Sequence, residues 1–325
     1  LRNAVSARKP VSLEDGHAKG YQERETISEQ RMPTAHLDDR GVIKVAGPEA
    51  GDFLDGLLTC DIDRVTREKA RYGGLLTPQG KILFDFIVFR MTGETGEAFF
   101  FDCRKALAGD LAKRLGFYKL RAKVTIEDLS DTLAVVAGWD CAPPAPDVGL
   151  ISEDPRLAAL GWRAIVAAGD VAEFADSEIA AYETHRITIG VPEGGKDYLF
   201  GQAFPHEALM DQLSGVDFDK GCYVGQEVVS RMHHRGTART RIVPVIYPGD
   251  VVPELGADVT AGDRVLGQCG SSRDGRGLVM IRLDRATDAI AADQPLRAGG
   301  IDFVLIQPKW LSFDVPGIDK NVVQR

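Results

Sequence analysis

A chain of 325 residues is longer than one ordinary core and points to two or three domains. Hydrophobic residues make up 44% and charged residues 27%, a globular composition that excludes fibrous and wholly disordered classes. The formal net charge of −9 excludes bulk attraction to nucleic acid or to an anionic membrane, so any anion site has to be a local patch.

Residues 1 to 33 are polar, mixed in charge and poor in periodic apolar positions, and read as a tail. The opening "LRNAVSARKPVSLEDG" contains no apolar h-region and does not read as a signal peptide. From Arg40 the pattern changes. "GVIKVAG" predicts a strand, and Pro48 stands near the start of a helix that sets Phe53, Leu54, Leu57 and Leu58 on one face. "RYGGLLT" and "KILFDFIVFRM" predict two strands joined at "PQG" as a hairpin, and "EAFFFD" predicts another strand. Asp102 is expected to cap a helix, "CRKALAGDLAKRL", which Gly116 ends before the strand "KLRAKVTIEDL". Hairpins interleaved with helices predict an α+β class with helices on one side of the sheet.

A break falls near 139–149, where "CAPPAPDVG" suits an exposed connection. "GWRAIVAA" predicts a strand, "AEFADSEIAAYETHRI" a helix, and 190–219 an irregular, Gly- and Pro-rich run. Beyond Arg239 come short strands, "RIVPVIY", "ADVTAG", "RVLGQCG", "LVMIRL" and "IDFVLIQ", which predict a small β-barrel or sandwich. The expected organisation is a polar tail over 1–33, an α+β region over 34–236 in two lobes, and a β-barrel over 237–325. The longest apolar strings are short and interrupted by charge, so no membrane span is expected.

Five scattered cysteines with no C-x-x-C spacing argue against a zinc ribbon or a disulfide framework and suggest a reducing, cytoplasmic setting. The densest chemistry lies in "DKGCYVGQEVVSRMHHRGTARTR", residues 219 to 241. Lys220, Arg231, Arg235, Arg239 and Arg241 concentrate positive charge there, beside the start of a helix whose amides favour anions. Cys222 reads either as a reactive thiol near cations or as a small buried hydrophobe in a turn. His233 and His234 diverge by about 100° on a helix, so no metal site is expected. Strand alternation puts Asp85 on one face with Leu83, Ile87 and Phe89. A carboxylate there has to find a partner or accept a raised pKa. Tyr72 and Tyr198 are candidates to stack on a flat ligand. No G-x-S-x-G or H-E-x-x-H is present.

"KGCYVGQEVVSRMHHRG" resembles the K-G-C-Y-x-G-Q-E signature of the YgfZ-type folate-binding proteins, in the superfamily of the glycine-cleavage T-protein (aminomethyltransferase). The continuation "HHRGTARTR" looks most like the branch with the mitochondrial iron–sulfur assembly factor and its alphaproteobacterial relatives. "RGVIKVAGPEAGDFLDGLLTCDI" and "YGGLLTPQGKILFDFIVFR" follow the T-protein pattern, and the resemblance runs from Thr34 to the end of the chain. It implies two ferredoxin-like α+β lobes and a C-terminal β-barrel around a central opening that holds tetrahydrofolate. Tyr72, Asp85, Thr188, Tyr198, Lys220, Tyr223, Arg231 and Arg235 are the residues it suggests for folate, with Cys222 as the functional thiol and Asp85 as the second chemical group. Two departures stand out. The T-protein's pair of acids is here Phe84 and Asp85, and its pteridine-holding Glu aligns with Thr188.

The function implied is a tetrahydrofolate-binding accessory factor for iron–sulfur cluster assembly or repair, non-enzymatic or weakly catalytic. Its partners would be assembly proteins or client enzymes such as radical-SAM tRNA-modifying proteins and aconitase-type dehydratases. A transient cluster bridged between Cys222 and a partner's ligands is the second cofactor implied. The alternative is a tetrahydrofolate-dependent aminomethyl- or methyltransferase in which Asp85 orients the folate. A monomer without direct nucleic-acid contact is expected.

Overall fold

A computed structural model describes residues 33–93, 96–145, 147–236 and 238–318. The polar tail expected over 1–33 lies outside the described residues except for Pro33, whose carbonyl accepts from the Trp139 amide.

The first lobe is a five-stranded antiparallel sheet. It contains β2 (Arg40–Ala46), β3 (Arg71–Leu76), β4 (Ile82–Gly93), β5 (Gly96–Arg104) and β6 (Thr125–Asp128), in the order β3-β4-β5-β2-β6. The turn between β3 and β4 is the expected hairpin, closed by Thr77 N–H to the Lys81 carbonyl at 2.8 Å. Gly80 holds φ +80° in it, a value that glycine adopts without cost. Alternation along β4 sends Phe84, Phe86 and Val88 to one side and Ile87 and Phe89 to the other, but a register shift between Ile82 and Phe84 puts Leu83 with the first set, not on the face of Ile87 where it was expected. The first side is covered by α1 (Ala50–Asp55) and α2 (Lys105–Lys119), which buries Ala108, Leu111 and Leu115 at helical spacing. Phe86 and Phe101 meet there edge to face at 5.0 Å.

A second antiparallel sheet has the order β1-β7-β9-β8, from β1 (Thr34–His36), β7 (Leu133–Gly138), β8 (Leu150–Glu153) and β9 (Trp162–Ala167). The helices α3 (Val171–Phe174) and α4 (Ile179–Ile189) follow it, then an irregular run, then α5 (Gln226–Arg235). From Thr240 the chain forms a seven-stranded sheet, β10 (Thr240–Ile246), β11 (Asp258–Ala261), β12 (Arg264–Arg273), β13 (Arg276–Arg282), β14 (Leu296–Ala298), β15 (Ile301–Asp302) and β16 (Val304–Leu305). The two edge strands, β15 and β16, are consecutive and separated by Phe303 alone, so the sheet bends back on itself as a nearly closed barrel. One apolar cluster joins the three parts, with Ile87 and Phe89 from the first sheet, Val135 and Ile165 from the second, and Val243 and Val279 from the barrel.

Several expectations need correction. Asp102 caps no helix: it is a wholly buried β5 residue, and α2 begins three positions later after Arg104. Gly116 does not end α2, which continues to Lys119 and stops at Leu120 with φ +42°. A glycine inside a helix costs about 1 kcal/mol, which the buried face of a 15-residue helix outweighs. The helix expected over "AEFADSEIAAYETHRI" is two helices parted at 175–178, and α6 (Leu283–Ala291) was not expected at all. Among the described residues no helix is long and apolar enough to cross a membrane.

Candidate functional site

Three of the expected residues meet at the centre. Asp85 is 7% exposed, and its Oδ2 accepts from the Tyr198 hydroxyl at 2.6 Å and the Tyr72 hydroxyl at 3.3 Å. Burial, then the Asp85 charge, pushes both phenol pKa values up, so the hydroxyls stay protonated and donate. The buried carboxylate has thus found its partners within the fold.

Around it lies an ion network that sequence reasoning missed. Arg40 Nε meets Asp102 Oδ1 at 2.6 Å, and Arg163 Nη1 meets Asp102 Oδ2 at 2.9 Å. Arg163 and Arg156 both donate to the Tyr182 hydroxyl, at 2.6 and 3.0 Å, and Arg156 pairs with Asp154 at 2.7 Å. On α4, Arg186 pairs with Glu183 at 2.7 Å and with Asp197 at 2.8 Å. Burial raises the Glu193 carboxyl pKa, but Arg186, Lys196 and Arg40 outweigh it and hold it well below the usual carboxylate range. Asp154 is likewise pulled down by Arg156 against its burial. No spacing rule could have grouped residues from 40 to 197. The only available signal was the cost of charges inside otherwise apolar strands, such as Arg163 in "GWRAIVAA".

Thr188 has no part in this centre. It is exposed on α4, about 200° around the helix from Arg186, whereas Glu183 and Glu193 line the space beside Asp85. The cavity beside Asp85, Tyr72, Arg40, Arg156, Arg163 and Glu193 has a volume of about 10 Å³, room for a single water. The Arg156 guanidinium lies 6.0 Å over the Tyr72 ring, on a face where a flat ring would stack. A pteridine does not fit this space as it stands.

The Cys222 loop is a separate place. Lys220 Nζ donates to the carbonyls of Asp55, Leu58 and Cys60 at 2.6, 3.0 and 3.1 Å and pairs with the Asp55 carboxylate at 2.9 Å. Its side chain is 1% exposed, and its three protons are used up. It therefore closes the end of α1 rather than receiving an anion, correcting the role expected for it. Asp217 braces the same stretch, accepting from the Asp61 amide at 2.7 Å and Arg71 at 2.8 Å. On the other flank Gly225, at φ +85°, leads into α5, and a Cβ there would stand 2.5 Å from the Thr77 carbonyl. The loop is clamped on both sides.

Between those clamps Cys222 is exposed, so the turn-filling reading does not apply to it. Cys60, Cys103 and Cys269 are buried, and burial pushes their thiols up to about 12, 12 and 11. Cys141 is half-buried, which leaves Cys222 as the one exposed thiol of the five. Tyr223 is buried, and its ring lies 5.6 Å from the Lys220 ammonium. Arg231 pairs with Glu227 one helical turn away, and Arg235 is exposed in the last turn of α5. None of Lys220, Tyr223, Arg231 and Arg235 lines the space at Asp85. Arg241 is structural, bound to Asp211 at 2.7 Å and to the His206 carbonyl at 2.7 Å, and His233 stacks on Phe218 at 3.8 Å. Lobes that pack through their apolar faces put Asp85 inside and the loop outside, although the resemblance implied that both face one folate opening.

Comparison with known proteins agrees with this architecture. Residues 239–313 match the family model of the CAF17 C-terminal β-barrel domain. The crystal structure of glycine cleavage system aminomethyltransferase T from Bartonella henselae superposes with a TM-score of 0.66 at 16% identity, over 86% of each chain, which establishes the T-protein fold. The mouse (Mus musculus) protein "Iron-sulfur cluster assembly factor IBA57, mitochondrial" is 33% identical over 279 residues, 76% of either chain. Its human (Homo sapiens) counterpart is 32% identical over 281 residues, again 76% of either chain. The expected superfamily stands, but the branch is that of IBA57 and the CAF17 barrel, not the YgfZ type. The cytoplasmic expectation is overturned, because these relatives are named mitochondrial. Unpaired cysteines report a reducing environment, and that does not single out the cytosol. The chain belongs to the family of the IBA57 iron–sulfur cluster assembly factors, built on the fold of the glycine-cleavage T-protein.

Proposed function

We propose that this chain assists iron–sulfur cluster assembly by offering the Cys222 thiol to a cluster carried by a partner protein. The observation that carries this reading is the exposed cysteine on a loop clamped by Lys220 and Gly225. One thiolate supplies one ligand, and a [2Fe–2S] cluster takes four, so the partner brings the remainder. The cluster is cargo, and the clamps hold the thiol outward for exchange with an assembly protein or a client enzyme. In cells lacking this chain, Cys222→Ala is expected to leave a [4Fe–4S] dehydratase inactive while Cys141→Ala restores it. Full restoration by Cys222→Ala would sink the reading.

Tetrahydrofolate is a separate proposal. To bind beside Asp85 it has to displace Arg156 from the Tyr72 ring, so its stabilising effect should be larger in Arg156→Ala than in the unaltered chain. Thermal melts with and without tetrahydrofolate test this, and no shift in either protein removes folate from the account.

A further inference from the structure

The outer face of α2 is basic and apolar in a way that the fold does not use. Residues 105–123 carry six cations (Lys105, Lys113, Arg114, Lys119, Arg121 and Lys123) against Asp110 alone, a local charge of +5 in a chain of −9. Asp110, Lys113, Arg114 and Phe117 fall at i, i+3, i+4 and i+7, one stripe turned away from the buried Ala108, Leu111 and Leu115. Together with the nearly buried Phe84 of β4 they line a groove of about 420 Å³, within the range of built binding pockets. Phe117 is 84% exposed and Leu120 is 89% exposed, more than any other large hydrophobic residue among those described. Leu120 also sits at φ +42°, where a side chain is strained, and no burial offsets that strain. Arg114 makes no ion pair among the described residues, and the Lys113–Asp110 pair is a long 3.4 Å contact between exposed groups.

We propose that this groove docks an acidic segment of a partner protein that carries an aromatic or aliphatic side chain. The charge surplus selects the acidic segment, and exposed aromatic surface beside arginine is the usual core of a protein contact. The recessed Phe84 favours an inserted side chain over a lipid surface: a flat bilayer would cover Phe117 and Leu120 but not reach Phe84. The assignment stands independently of the Cys222 reading.

The test uses the full chain and a fluorescein-labelled peptide, Asp-Asp-Glu-Phe-Glu-Glu-Leu-Asp, with a second peptide in which Phe and Leu are Ser. Anisotropy should show salt-sensitive binding of the first peptide only. That binding should weaken by about tenfold or more in Phe117→Ser and in the double variant Lys113→Glu/Arg114→Glu, with melting temperature unchanged. Absence of binding, or binding that both variants retain, overturns the proposal. Binding to phosphatidylglycerol vesicles that both variants lose, with no peptide binding, also overturns it and assigns the face to a membrane.

Discussion

Replacing Lys220 with Met tests whether the thiol loop is held from inside. The ammonium is buried and makes four contacts between 2.6 and 3.1 Å, three to the carbonyls of Asp55, Leu58 and Cys60 at and just after the end of α1 and one to the Asp55 carboxylate. Methionine keeps the apolar stem but leaves three carbonyls and a carboxylate without their donor. Hydrogen bonds to charged groups are worth about 1.5–3 kcal/mol each, and removing one partner of a buried pair costs about 3–5 kcal/mol. Asp55 is 36% exposed and can rehydrate, which places the expected loss at the lower end, about 3 kcal/mol. Urea unfolding should show the midpoint fall with little change in slope. In the same variant, Cys222 should react faster with a thiol reagent under native conditions, because the loop has lost its inner anchor. A loss under about 1 kcal/mol with unchanged thiol reactivity would refute the account of Lys220 as a structural clamp.

Gly225→Ala is expected to destabilise by about 2–4 kcal/mol, since it combines a positive φ with a Cβ driven to 2.5 Å from the Thr77 carbonyl; calorimetry measures it. Asp102→Asn removes the charge that Arg40 and Arg163 share in the interior and should cost about 3–5 kcal/mol, read from urea midpoints. His206 gives a pH signature. Burial holds its imidazole down at about 4 against the nearby Asp211, with Arg241 and His233 adding to the depression. The unfolded chain therefore takes up the proton first, and stability is full above about pH 6.5 and declines as pH falls towards 4. His206→Phe should flatten that part of the stability–pH curve, and an unchanged slope would show that the imidazole is not the titrating group.

Much of the fold was legible because local signals agreed with one another. Turn chemistry at "PQG" gave the hairpin and alternation in "ILFDFIVF" gave its faces from Phe84 onward but misplaced Leu83, and regular short strands after Arg239 gave the barrel. Signals that depend on distant partners misled. Asp102 before a helix looked like a cap because Ser, Thr, Asp and Asn usually cap there, yet Arg40 and Arg163 claim its carboxylate. Gly116 looked like a stop, but what ends a helix is the conformation after it, and the residue that leaves helical geometry, with φ +42°, proved to be Leu120.

The candidate site divides in the same way. From sequence alone came Cys222 as the residue to ask about, Asp85 as a carboxylate in need of partners, and Tyr72 and Tyr198 as residues worth watching. The meeting of those tyrosines on Asp85, the exclusion of Thr188 and the inward turn of Lys220 were decided by tertiary packing. Packing decides them because burying an ion is tolerable only where opposite charges and donors converge. That convergence joins residues more than a hundred positions apart, beyond the reach of any local pattern.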